Sequence, residues 1–151
     1  MKKDEKMSIE DMTAYMRIVP ERKASYAEFP DTMNDEIKEY LGKQGINALY
    51  THQTEMFEKA GRGENTVITT STASGKTLAF LLPVLQKILE DPLTRAIFVY
   101  PTKALASDQY RSLQPVLEYF GEGKIQAGVY DGDTMRSEER RVGKECLRLC
   151  R

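Results

Sequence analysis

The run Thr70-Ser71-Thr72-Ala73-Ser74-Gly75-Lys76-Thr77 concentrates the residue types best suited to chemistry in this chain. Small residues at 73–75 let successive backbone N–H groups curl round an anion, beside the positive end of a following helix. The Lys76 ammonium reaches phosphate oxygens as a point charge, and the Thr77 hydroxyl is a ligand type for Mg2+. Gly75-Lys76-Thr77 is the G-K-[ST] ending of a phosphate-binding loop, set between a strand pattern and a helix pattern as such loops require. Thr70 stands where the first glycine of that loop is usual. A hydroxyl-rich helix cap is the plainer alternative, and the strand-to-helix setting speaks against it. The loop implies a nucleoside triphosphate and leaves ATP and GTP open.

Other chemically capable residues are fewer. Thr102 and Lys103 follow a second strand pattern, at the carboxyl end where doubly wound sheets bind ligands. His52 is the only histidine, with no second ligand or nucleophile near it in sequence, so it reads as a residue that orients its turn. Asp131-Gly132-Asp133-Thr134 lacks the alternating oxygen ligands and the distant glutamate of a calcium loop, and reads as a tight turn. Cys146 and Cys150 form half a zinc site at best.

The elements that position these residues follow from periodicity. Asn34 is an N-cap for a helix with Ile37, Tyr40 and Leu41 on one face and Gly42 and Gly45 near its stop. A second helix covers Thr51 to Ala60, buries Met56 and Phe57, and ends at Gly61-Arg62-Gly63. Thr66 to Thr70 is β-branched throughout and predicts a buried parallel strand. Lys76 to Leu89 predicts a helix in which Pro83 makes a kink or a late first turn. Arg95 to Tyr100 is the next strand. Leu105, Leu113, Leu117 and Phe120 mark a further helix, stopped at Gly121 and Gly123, before a third strand over Ile125 to Tyr130. The order β-α-β-α-β with short connections predicts an α/β fold with parallel strands. Residues 1–33 carry Pro20 and Pro30 and read as an N-terminal extension with one short helix around Ile9 to Ile18.

Composition narrows the class further. A length of 151 residues allows one domain. With 40% hydrophobic and 30% charged residues the chain is of the ordinary globular kind, not the disordered kind. The longest apolar stretch, Leu78 to Leu85, is far short of a membrane span, and no secretory leader follows Met1. The expectation is a cytoplasmic protein with no membrane partner. Net charge −1 excludes a globally basic nucleic-acid coat but leaves room for a local basic groove.

Together these motifs resemble those of the superfamily-two DEAD/DEAH-box helicases. Ser71 to Phe80 is similar to their motif I, which tolerates Ala or Thr for the first glycine. Pro101-Thr102-Lys103-Ala104-Leu105-Ala106 is similar to motif Ia, and Leu49-Tyr50-Thr51-His52-Gln53 lies where these proteins carry an adenine-reading glutamine. The set is similar to the bacterial DNA-repair helicases of the MrfA/YprA type, relatives of the eukaryotic RecQ-like Hrq group, over about residues 25–135. The resemblance implies an incomplete RecA-like P-loop domain over residues 34–135, with ATP and Mg2+ as cofactors. Thr72, Ala73, Ser74, Gly75, Lys76 and Thr77 would hold the phosphates, with Lys76 and Thr77 catalytic and Thr77 on the Mg2+. Gln53 would bond the adenine edge through its amide, the chemistry that favours ATP over GTP. Pro101, Thr102, Lys103 and Ala104 would grip the backbone of a nucleic acid, DNA by resemblance, without reading sequence. Phe29 has the wrong spacing for the family's adenine-stacking aromatic and is expected in the core.

The family's DExH-type acidic pair, second motor domain, arginine fingers and four-cysteine zinc module find no counterpart in these residues. Arg136-Ser137-Glu138-Glu139-Arg140-Arg141-Val142-Gly143-Lys144-Glu145-Cys146 reads as the translation of a common sequencing adapter beginning AGA TCG GAA GAG CGT. Residues 136–151 are therefore expected to be an adapter-derived tail without function. In related folds, later strands separate the motif Ia strand from the P-loop strand, so exposed apolar edges and a tendency to aggregate are expected. The functional expectation is an ATP-dependent DNA helicase represented by the N-terminal part of its first motor domain and inactive alone. A non-catalytic nucleotide- or nucleic-acid-binding fragment and another P-loop enzyme, such as a nucleotide kinase, are the alternatives.

Overall fold

The computed structural model describes residues 24–71, 74–121, 124–130 and 147–150. The expected helix at 9–18, Thr72, Ala73, the 131–134 turn and most of the 136–151 tail lie outside them. Among the described residues nine elements follow one another: β1 (Tyr26–Ala27), α1 (Asp35–Lys43), β2 (Leu49–Tyr50), α2 (Thr51–Gly61), α3 (Lys76–Glu90), β3 (Ile97–Val99), α4 (Lys103–Phe120), β4 (Ala127–Tyr130) and β5 (Leu147–Cys150).

Helix α1 starts where its cap predicts. The Asn34 side chain accepts from the Glu36 N–H at 2.8 Å, satisfying one of the orphan donors of the first turn. The Asn34 N–H itself donates to Gln86 Oε1 at 2.8 Å, and Gln86 Nε2 donates to Thr32 O at 3.3 Å, so one α3 side chain fastens the entry to α1. Ile37, Tyr40 and Leu41 are buried from the α1 face. Past its end, Gly45 takes φ +75°, a turn conformation open to glycine and strained for other residues.

Pro83 lies inside the unbroken α3 and is buried there, so the expected late first turn does not occur. A proline within a helix removes one backbone bond and costs about 3 kcal/mol. Burial of Leu81, Leu82, Leu85 and Ile88 on the same helix, at about 1.5–3 kcal/mol for each large apolar side chain, offsets it. These leucines meet Phe57 of α2 and Leu41 of α1, and Leu113, Val116 and Phe120 of α4 complete the core. Tyr40 packs on Tyr119 and Phe120 with ring centroids 5.0 and 5.9 Å away, which closes α4 onto α1. Phe29 packs against this cluster, as expected.

The strands depart further from expectation. Tyr26 and Ala27, read as part of an extension, pair antiparallel with Tyr50 and Leu49. Met33 is buried in the core, so residues 26–33 are built into the fold. The predicted strand at 66–70 is absent as a strand: this segment joins no ladder among the described residues, and Val67 is 88% exposed. Its β-branched residues suit a pleated surface, but propensity cannot supply the partner strands that make one. The expected strands at 95–100 and 125–130 form, shortened to β3 and β4. Between them lies β5, parallel to both, in the order β3-β5-β4. The alternating Leu147-Arg148-Leu149-Cys150 has the period of two that a strand requires.

Candidate functional site

The loop before α3 is organised around a cation. Lys76 Nζ donates to Ser71 O at 2.5 Å and Thr70 O at 3.0 Å, with Ser74 Oγ at 3.3 Å and Thr70 Oγ1 at 3.4 Å. Thr70 Oγ1 and Ser74 Oγ lie 2.6 Å apart and share a hydrogen bond across the loop. The first-glycine position filled by Thr70 thus closes the loop through its hydroxyl and carbonyl. An ammonium held by four oxygens is already placed where an anion entering the loop would find it.

Gly75 caps α3 in the left-handed region, at φ +74°. A Cβ there would stand 2.6 Å from Gln53 Nε2 and 3.6 Å from the Tyr50 ring, so glycine is required both by conformation and by space. The close neighbour is a bond: Gln53 Nε2 donates to Gly75 O at 3.0 Å, across 22 positions of sequence. Gln53 Oε1 accepts from the Tyr50 N–H at 2.9 Å, the reach-back of a glutamine in the first turn of a helix. Gln53 is the only buried polar residue among the described residues, 2% exposed. Its amide ties the start of α2 to the end of the phosphate loop, and contact with an adenine edge would require these bonds to be exchanged.

Around this tie, rings stack. Tyr26 lies on Tyr50 with centroids 5.0 Å apart, and Tyr50 on His52 at 5.6 Å. His52 Nε2 is buried without a hydrogen-bond partner among the described residues, and its imidazole is held as a ring in this stack. Tyr26 was not foreseen at the site. Only its pairing with β2 brings it there.

The motif Ia residues sit at the start of α4. Thr102 is its N-cap, and its hydroxyl accepts from the Leu105 N–H at 3.2 Å while the O–H remains a donor. Pro101, Thr102, Lys103 and Ala104 are all exposed, as contact with a nucleic-acid backbone needs. Thr77 looks toward this helix: its hydroxyl donates to Gln109 Oε1 at 3.3 Å. A cavity of about 380 Å3 opens between the two, lined by Lys76, Thr77, Phe80, Tyr100, Leu105 and Gln109. Sequence reasoning missed Gln109, whose link to Thr77 spans 32 positions.

The arrangement fits a nucleoside triphosphate with Mg2+. A preplaced lysine, a left-handed glycine opening the helix and a threonine hydroxyl beside an open cavity are groups of the kind it needs. Among the described residues no group of three or more His, Cys, Asp or Glu could hold a metal by itself. No described helix is long and apolar enough to cross a membrane.

The profile of the DEAD/DEAH box helicase family matches residues 50–150. The chain belongs to that family. The ATP-dependent helicase YprA of Bacillus subtilis is 42% identical to this helicase chain over 135 residues, 89% of the chain and 18% of YprA. The ATP-dependent helicase hrq1 of Schizosaccharomyces pombe is 41% identical over 104 residues, 62% of the chain and 10% of that protein. A crystal structure of the helicase MrfA bound to DNA and AMPPNP matches with TM-score 0.78 at 41% identity, covering 85% of the chain and 18% of MrfA. A DEAD box protein from Methanococcus jannaschii, 18% identical with TM-score 0.62, covers 78% of the chain and 32% of its own and shares the α/β fold. The likeness to MrfA, YprA and the Hrq group read from the motifs holds. The helicase chain spans less than a fifth of the length of these first relatives.

Proposed function

We propose that the chain is the ATP-binding N-terminal part of the first motor domain of an ATP-dependent DNA helicase, an incomplete RecA-like unit with parallel strands. The observation that carries this reading is the loop at α3, where Lys76 is held by Thr70, Ser71 and Ser74 beside left-handed Gly75.

In this reading ATP and Mg2+ are the cofactors. Residues 72–75 wrap the phosphates with backbone N–H groups, and the Lys76 ammonium leaves its loop oxygens to neutralise the terminal phosphates. The Thr77 hydroxyl is the ligand toward Mg2+, whose bound charge stabilises the phosphoryl oxygens during hydrolysis. Gln53 reads adenine when its amide turns from Tyr50 and Gly75. Thr102, with the exposed N–H groups opening α4, and Lys103 hold the DNA backbone without reading its sequence. The support for DNA is the MrfA complex, a relative at 41% identity. Residues 136–151 are read as adapter-derived, and resequencing the locus across codon 135 from an independent library tests that.

The test of function is DNA-stimulated ATP hydrolysis by the complete protein carrying this segment. Lys76→Ala should reduce it to background. Hydrolysis unchanged by Lys76→Ala ends the assignment, and turnover without DNA stimulation turns it toward another P-loop enzyme.

A further inference from the structure

The Thr77–Gln109 contact joins two parts of the molecule that the functional reading treats separately. Thr77 stands in the first turn of α3, after the phosphate loop. Gln109 stands in the second turn of α4, whose N-cap is Thr102 of motif Ia. Both residues are half-buried and line the cavity beside Lys76.

The direction of the bond has a chemical consequence. A threonine hydroxyl has one proton and two lone pairs. If the proton points at a carbonyl acceptor, both lone pairs are free for a cation. The Gln109 carbonyl oxygen draws the proton to the side of α4. An acceptor behind a ligand oxygen fixes its orientation and raises its basicity, as outer-sphere partners of metal ligands do. The length matters too. At 3.3 Å the contact is long for O–H···O, where about 2.7–2.8 Å is usual. Movement of α4 toward α3 by about 0.5 Å would bring it to full strength. A backbone phosphate docked at the N-terminus of α4 would act on the same helix that carries Gln109.

Resting on the functional reading above, we infer that Gln109 is a positioning residue. It orients the Thr77 hydroxyl for Mg2+ and couples that orientation to nucleic-acid contact at motif Ia. Coupling of this kind is reciprocal: DNA tightens Mg2+-nucleotide binding by the factor by which Mg2+-nucleotide tightens DNA.

The experiment uses the complete protein carrying this segment and a fluorescent non-hydrolysable ATP analogue. Binding is titrated in EDTA, with Mg2+, and with Mg2+ plus single-stranded DNA. Gln109→Ala should leave affinity in EDTA unchanged, cut the gain from Mg2+ by about tenfold, and abolish the further gain from DNA. Gln109→Glu keeps an acceptor oxygen at the same reach and should restore both gains. Equal losses with and without Mg2+ would show a merely structural tie and overturn the inference. So would undiminished gains in Gln109→Ala, or failure of Gln109→Glu to restore them. Lys76→Ala separates the underlying reading: analogue binding indifferent to Lys76 would sink the nucleotide site itself, whatever Gln109 does.

Discussion

The helical half and the strand segments of this chain differ in where their partners come from. Leu41, Leu82 and Leu85 are at most 1% exposed. Val67, Ile97 and Val99, which the same reasoning assigns to buried strands, are 88%, 60% and 67% exposed. A helix satisfies its own backbone, and α1, α2 and α3 follow one another closely enough to cover one another's apolar faces. A parallel strand satisfies nothing alone. It needs neighbours that arrive through long connections, and the segment at 66–70 meets none among the described residues. A mostly apolar gap of about 530 Å3, with Met56, Phe80, Pro83, Val84 and Phe98 in its lining, runs beside β3.

The sharpest test of the contrast is core truncation. Leu82→Ala should cost about 2–5 kcal/mol in urea unfolding, because Leu82 is completely enclosed. A cost below about 1 kcal/mol would mean the helical core is loose and the contrast false.

Gln53 stands where the two regions join, and its replacement comes next in size. Gln53→Ala leaves the Tyr50 N–H and one acceptor site of Gly75 unpaired, at a cost of about 1–3 kcal/mol. Gln53→Glu would retain the acceptor for Tyr50 but set a buried carboxylate oxygen against the Gly75 carbonyl, and should cost at least as much as Gln53→Ala. If both variants match the parent in urea, the tie is not part of the stable fold.

At the sheet edge the expected change in stability is small and the change in behaviour is not. Val99→Lys should alter unfolding by less than about 0.5 kcal/mol, since the side chain is already mostly in solvent. It should also reduce self-association in light scattering, because charge blunts an exposed edge. A large destabilisation would place Val99 in a packed environment and break the comparison.

The smallest effect is electrostatic, at the end of α3. The Gln86 amide, and after it the Lys87 ammonium, hold the Glu90 carboxyl below the usual carboxylate range. A depressed folded-state pKa contributes stability above the unfolded-state pKa, and that contribution is lost as pH falls through the folded value. The stability difference between the parent and Glu90→Gln should therefore be present at pH 7, start to shrink near the unfolded-state value of about 4.3, and be gone only below the depressed folded-state value. A difference that persists in acid would point to shape, not charge. The pair is mostly exposed, so only tenths of a kcal/mol are at stake.

How much could be read from the sequence follows the same division. The cap at Asn34, the starts of α2 and α3 and the stop of α4 at Gly121 were readable because caps, glycines and helical periods are local signals. The antiparallel clip of β1 on β2 was not, since two-residue strands carry no period. The strand expected before Gly75-Lys76-Thr77 is not formed, whereas the helix start there was readable. The inward use of Gln53 and the approach of Gln109 to Thr77 were not, because each depends on a contact that only packing brings about.

The stack of Tyr26 on Tyr50 also makes the loop before α3 optically visible. The sequence has eight tyrosines and no tryptophan, so tyrosine emission is not drained into an indole. One of those eight rings lies within 3.6 Å of the position a Gly75 side chain would take, and a second lies on top of it. A guest arriving at that glycine would change the surroundings of both, and the chain's own ultraviolet emission would report the arrival without a dye.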